Sequence, residues 1–133
     1  MDENELLGVG EKLGEGGQGK VYASEYYGKD VAVKMQSIEH GVFEIKDLLY
    51  SFDHINVVKD IGYYLEITKR KKTIKTVYFI MERATSGSLD QIDKSVYLPL
   101  IYDIASDLIN ALVYLEKYEI FHGDICPQNV LIK

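Results

Sequence analysis

The chain has 133 residues, enough for one ordinary domain with a real core, and its 47% hydrophobic and 27% charged residues lie in the normal globular range. A net charge of -6 argues against nucleic acid or an anionic membrane as partner. A single Cys excludes a disulfide scaffold or Cys-based zinc site and makes a reducing, cytoplasmic setting the expectation, while the acidic start Met1-Asp2-Glu3-Asn4-Glu5 and the lack of a long apolar run predict neither secretory signal nor transmembrane span.

Leu6 to Gly10 leads through Leu13 into the cluster Gly14-Glu15-Gly16-Gly17-Gln18-Gly19-Lys20-Val21. Val21, Ala23, Val31 and Val33 flank the turn-like Tyr27-Gly28-Lys29-Asp30, which predicts three antiparallel strands. Without side chains at 14, 16, 17 and 19, the first hairpin can lie close over phosphates and present its backbone N–H groups. The competing reading is a plain flexible hairpin. A dinucleotide fold would set such a string between a strand and a long helix, whereas here β-type residues follow. Lys20 reads as a solvated strand residue. Lys34 closes the alternation Val31-Ala32-Val33-Lys34, and a lysine there belongs either at a solvated edge or opposite an anion, since burial alone is costly.

Gly41 to Phe52 reads as a short helix with Phe43, Ile45, Leu48, Leu49 and Phe52 on one side. His54 reads as a structural histidine. Two strands are expected next, Asp60 to Thr68 and Lys75 to Met81. The basic run Lys69-Arg70-Lys71-Lys72-Thr73 between them is either a solvated turn or an anionic docking patch. Ser86-Gly87-Ser88-Leu89 supplies a turn and a helix start. Pro99 suits the first turn of a helix that continues through Ile101, Ile104, Ala105, Leu108, Ala111, Leu112 and Leu115 to Tyr118, its stripe reading as core rather than cofactor surface. The change from alternation before Met81 to helical spacing after Pro99 predicts an α+β architecture. It comprises an antiparallel sheet of five strands with one helix against it, a hinge near Glu82 to Gly87, and a mainly helical segment.

After Ile120-Phe121 comes His122-Gly123-Asp124-Ile125-Cys126-Pro127-Gln128-Asn129, followed by Val130-Leu131-Ile132. A carboxylate and an amide at the spacing of Asp124 and Asn129 can serve one phosphoryl-transfer site; the plainer reading is a turn whose Asp and Asn cap their own backbone. Taken in order, the glycine cluster, Val31 to Lys34 and His122 to Asn129 resemble the eukaryotic protein kinases, in a serine/threonine-like form, over nearly the whole chain. The resemblance implies a partial kinase domain over 8–133, with an N-lobe at 8–82, a hinge at 83–87 and the start of a C-lobe at 88–133.

It also implies roles. ATP would be cradled by Gly14, Glu15, Gly16, Gly17, Gln18, Gly19, Val21 and Ala32, with Lys34 on its α and β phosphates and paired to a helix glutamate. Glu44 is the natural partner, although the family register counted from His54 and Asn56 falls on Ile45. Met81 would face the back of the adenine pocket, and backbone groups of Glu82 and Ala84 would meet the base edge. Asp124 would orient the substrate hydroxyl, and Asn129 would hold Mg2+. Two positions depart from the family pattern, and the second weighs against turnover. Gly123 stands where an Arg that meets a phosphorylated activation loop is frequent, which implies that such control is absent, although active kinases without that Arg exist in the family. Cys126 stands where serine/threonine kinases usually carry a Lys, and a neutral thiol cannot balance developing charge. No Asp-Phe-Gly occurs in these residues. Two expectations follow: a serine/threonine-type kinase piece that acts on a protein substrate once the full domain exists, or a truncated pseudokinase serving as a nucleotide-binding or interaction module. In either, a protein partner could cover the apolar surface of the Pro99 to Tyr118 helix.

Overall fold

The computed structural model describes residues 6–16, 19–37, 52–67, 70 and 74–133. Five strands, β1 (Leu6–Gly16), β2 (Gly19–Tyr26), β3 (Lys29–Ser37), β4 (Asp60–Ile67) and β5 (Ile74–Glu82), form one sheet in the order β1-β2-β3-β5-β4. All neighbours run antiparallel, as the sequence predicts. The helices are α1 (Lys94–Tyr97) and α2 (Ile101–Glu116). The helix expected over Gly41 to Phe52 lies, apart from Phe52, outside the described residues, as does the basic turn apart from Arg70.

The β2–β3 turn is tighter than the four-residue one expected. Tyr26 pairs with Lys29, so only Tyr27 and Gly28 stand outside the ladder, at φ 47° and 74°. Two consecutive residues at positive φ match the right-handed strand twist, which is why such short hairpins favour them.

Alternation along the strands gives the sheet two unlike faces. Val31, Val33 and Ile80 form a buried cluster on one, with Tyr26 and Tyr78 packed against it. Val33 lies opposite Ile80 and Val31 opposite Glu82, so β3 and β5 carry this core together. The other face holds Ala32 and Lys34, opposite Met81 and Phe79.

The α2 helix starts later than Pro99 suggests. Leu98–Leu100 tightens into a 3-10 turn and the α-helix begins at Ile101. At its far end Ile120 N–H donates to Leu115 O (3.1 Å) and Glu119 N–H to Glu116 O (2.9 Å), with Glu119 at φ 57°. This is a Schellman closure, with a glutamate in the left-handed position that glycine usually fills. Ala111 and Leu115 are buried, whereas Tyr102, Ile109 and Val113 are exposed, at 88%, 59% and 50%. The continuous helical stretch Lys94–Glu116, of 23 residues and mean hydropathy 1.4, is by length and composition able to cross a membrane, and 6% of its apolar window is buried. Asp103, Asp107 and Asn110 interrupt it.

The chain divides into two compact units. One comprises the described residues within Met1–Phe52 together with Lys59–Arg83; the other comprises Asp53–Val58 and Ala84–Lys133.

Candidate functional site

In the sheet unit, register decides which side chains share a surface. Gly14 lies opposite Val21, Val21 opposite Lys34, Lys34 opposite Phe79, and Ala32 opposite Met81. Directly opposed residues share a face and alternate residues along a strand return to it. Gly14, Gly16, Val21, Ala32, Lys34 and Met81 therefore lie on one side, away from the Val31–Val33–Ile80 core. A one-residue slip in β3 would move Lys34 to the core side.

The glycines of the hairpin differ physically. A Cβ on Gly14 or Gly16 would meet nothing within 4 Å, so the surface over them is open. Gly19 sits at φ 133°, and a Cβ there would lie 2.2 Å from Met35 O. The fold itself thus requires glycine at 19, whereas 14 and 16 are spared a side chain without structural need. Gly17 and Gln18 lie outside the described residues, as does Glu44, so its expected pairing with Lys34 falls there too. Glu15 is exposed and pairs with Lys12 Nζ at 2.6 Å and Lys20 Nζ at 3.8 Å. The hydrogen bond and charge of Lys12 lower the Glu15 carboxyl, though exposed pairs like this one contribute little stability.

At the end of β5, Glu82 N–H donates to Lys59 O at 2.9 Å, and Lys59 N–H donates to Glu82 Oε1 at 2.9 Å. Glu82 thus ties β5 to the entry of β4 through backbone and side chain alike, a role the sequence did not suggest.

In the helical unit the loop from His122 to Asn129 is held by its own side chains. Asp124 N–H donates to His122 Nδ1 at 3.1 Å. Asn129 Nδ2 donates to Asp124 O at 2.8 Å and to Asp124 Oδ2 at 3.0 Å. Asn129 N–H donates to Cys126 O at 2.9 Å, closing the short 3-10 turn Pro127–Asn129. Because the amide nitrogen makes both bonds to Asp124, the Asn129 oxygen Oδ1 points its ligating capacity elsewhere. Gly123 adopts φ 80°, a left-handed position that favours glycine. Beyond the loop the chain is anchored by Leu89 N–H to Val130 O (2.8 Å), Ile132 N–H to Gly87 O (2.8 Å) and Ser86 N–H to Ile132 O (3.1 Å).

His54 has structural partners. Its Nδ1 accepts from Asn56 N–H at 3.0 Å and its ring lies 4.8 Å from that of Tyr114, whose hydroxyl accepts from Asp53 N–H at 2.9 Å. These contacts fix Asp53–Val58 to α2. Among the described residues no group of three or more His, Cys, Asp or Glu is placed to hold a metal ion.

The sheet unit thus carries a bare glycine hairpin and a lysine on one face, and the helical unit carries a hydrogen-bonded Asp–Asn loop. A family model described as protein tyrosine and serine/threonine kinase matches residues 7–133, and the chain belongs to that protein kinase family. It is 32% identical to a probable LIM domain-containing serine/threonine-protein kinase of Dictyostelium discoideum, over 96% of this chain and 21% of that protein. A second such kinase of the same organism is 33% identical, over 92% of this chain and 13% of the relative. The Aurora kinase of Saccharomyces cerevisiae is 32% identical, over 99% of this chain and 37% of its own length. The chain thus spans well under half of these relatives. The family match runs through Lys94–Glu116, which assigns that apolar helical stretch to the kinase domain.

Proposed function

We propose that the chain is the ATP-binding part of a serine/threonine-type protein kinase, and that these 133 residues alone bind MgATP weakly without transferring phosphate. The observation that carries this reading is the register that gathers Gly14, Gly16, Val21, Ala32, Lys34 and Met81 on one sheet face. The residues suit the cofactor chemically. Gly14 and Gly16 have open space where a nucleotide would approach, and Lys34 is the cation among them. Bound MgATP supplies the transferable phosphoryl group.

Each protein group then has a task. Lys34 neutralises phosphate charge, and Gly14 and Gly16 let the backbone N–H groups come near it. Glu82 N–H is taken by Lys59 O, so donation to a base edge falls to Ala84. Asp124 orients a substrate hydroxyl and accepts its proton, with its backbone fixed by His122 and its carboxylate by Asn129. Asn129, its Nδ2 engaged by Asp124, would hold Mg2+ through its side-chain oxygen. Asn129 alone would supply one ligand of several that metal placement needs, and losing metal placement costs orders of magnitude in transfer. Cys126 in place of a cation favours the second reading, a pseudokinase that binds nucleotide without turnover.

Equilibrium titration with MgATP and radiolabelled transfer to a generic protein substrate test both parts. The expected result is saturable binding that Lys34→Met abolishes, with no transfer. Transfer by the parent chain that Asp124→Asn abolishes would overturn the inactive part of the proposal; no nucleotide binding at all would overturn the whole.

A further inference from the structure

Register places three acidic residues on the Lys34 face of the sheet: Glu25 and Asp30 beside the β2–β3 turn, and Asp60 across β5 from Lys34, which the site described above does not use. Asp60 opens β4 directly opposite Met81, Met81 lies opposite Ala32, and Phe79 lies opposite Lys34. The irregularity in β4 falls between Asp60 and Gly62, after the Asp60–Met81 pair, so it does not turn Asp60 away from the Met81 side. Asp60 and Lys34 are therefore on the same face, two strands and two residues apart. Strand spacing and rise make this a diagonal of about 12 Å between α-carbons. The combined reach of a lysine and an aspartate side chain covers most of that gap, and the β5 residues between them, Met81 and Phe79, are apolar. Among the described ion pairs none joins the two, so the charges attract at longer range than a direct bridge.

The carboxyl behaves accordingly. Asp60 is exposed as a residue, while its carboxyl is partly desolvated. Burial raises it above the ordinary carboxylate range, and the Lys34 charge pulls it part of the way back. An ionised group whose desolvation outweighs its attraction opposes folding, so stability does not explain a carboxylate here. Its effect on Lys34 does.

We propose that Asp60 is a positioning residue for Lys34: its carboxylate is the counter-charge that draws the Lys34 ammonium across Met81 and Phe79 and holds it over the phosphate-binding face. This rests on the nucleotide-binding reading above. It gives Lys34 an anchor within the sheet itself, separate from any carboxylate on the segment between β3 and β4.

Two measurements on the full chain test it. In the first, the Asp60 carboxyl is titrated by carbon NMR in the parent chain and in Lys34→Met. Removing the attracting charge should move its midpoint upward, and an unchanged midpoint would overturn the pair. In the second, ATP and adenosine affinities are compared in the parent and in Asp60→Asn, an isosteric change that keeps the fold. ATP should weaken roughly two- to five-fold, the worth of a partly solvated ion pair, with adenosine unchanged. Unchanged ATP affinity, or equal loss for both ligands, would overturn the positioning role. Should the parent chain bind neither ligand, the nucleotide reading fails, and with it the positioning role, while the titration still decides whether the two charges interact.

Discussion

The two units treat their apolar residues in opposite ways. In the sheet unit, Val31, Val33 and Ile80 are fully buried as one cluster within the unit itself, and Val77 is fully buried on the other face. In the helical unit α2 is as apolar as any segment of the chain, yet its buried residues are Ala111 and Leu115, while Ile109, Leu112 and Val113 face outward. Pairing explains the difference. A strand gains neighbours on both edges through its backbone, so β3, enclosed by β2 and β5, buries Val31, Ala32 and Val33 together. A helix satisfies its own backbone and needs a separate element to cover its stripe. The site follows the same division: Lys34 is held by a rigid, enclosed strand, and Asp124 by hydrogen bonds within its own loop.

The sharpest way to break this comparison is truncation. Ile80→Ala should cost about 2–5 kcal/mol, as deletions in a closed core do. Ile109→Ala on the outer side of α2 should stay within roughly 0.5 kcal/mol. Denaturant unfolding followed by circular dichroism checks both. Equal costs would mean that α2 is covered as well as the sheet.

A second contrast lies within the glycine hairpin. Gly19→Ala forces a positive φ and a backbone clash, and should destabilise by about 1–3 kcal/mol. Gly16→Ala should leave the melting temperature nearly unchanged while weakening ATP binding. In the helical unit, Gly123→Ala should cost about 1 kcal/mol for its left-handed backbone.

The smaller effects concern charge and the helix end. Asp93 accepts from Ser95 Oγ and Ser95 N–H at the start of α1, and these bonds lower its carboxyl. Its stabilisation is present above the unfolded value and is lost as pH falls through the depressed folded one. Asp60 has the opposite sign. Its folded value is raised, so the stability present below the unfolded value is lost as pH rises through the folded one. Acid titration of stability should therefore flatten at its neutral end in Asp60→Asn and at its acid end in Asp93→Asn. Glu119→Gly, relieving the left-handed glutamate after α2, should stabilise by up to about 1 kcal/mol.

Much of this was legible in the sequence because it is local. Alternation through Val31-Ala32-Val33-Lys34 fixed which residues share a face, and the stripe from Ile101 to Leu115 announced α2. The tight turn at Tyr27 was not legible, since tyrosine carries no preference for positive φ and its conformation follows from strand twist. Nor did Pro99 reveal that the α-helix waits until Ile101, because a 3-10 turn and a first α-turn accept proline equally. The placement of β5 between β3 and β4 is long-range pairing, which no local pattern encodes. That same placement hid Asp60. Only across an intervening β5 do Asp60 and Lys34 share a face, and the one sequence signal was an acidic residue opening the strand.

Hydrogen exchange with and without saturating MgATP tests the central claim most directly. New protection is expected in peptides from the β1–β2 hairpin and from β3 around Ala32 and Lys34, with exchange on the outer side of α2 unchanged. Protection confined to α2, with the hairpin and β3 unaffected while nucleotide is bound, would contradict it.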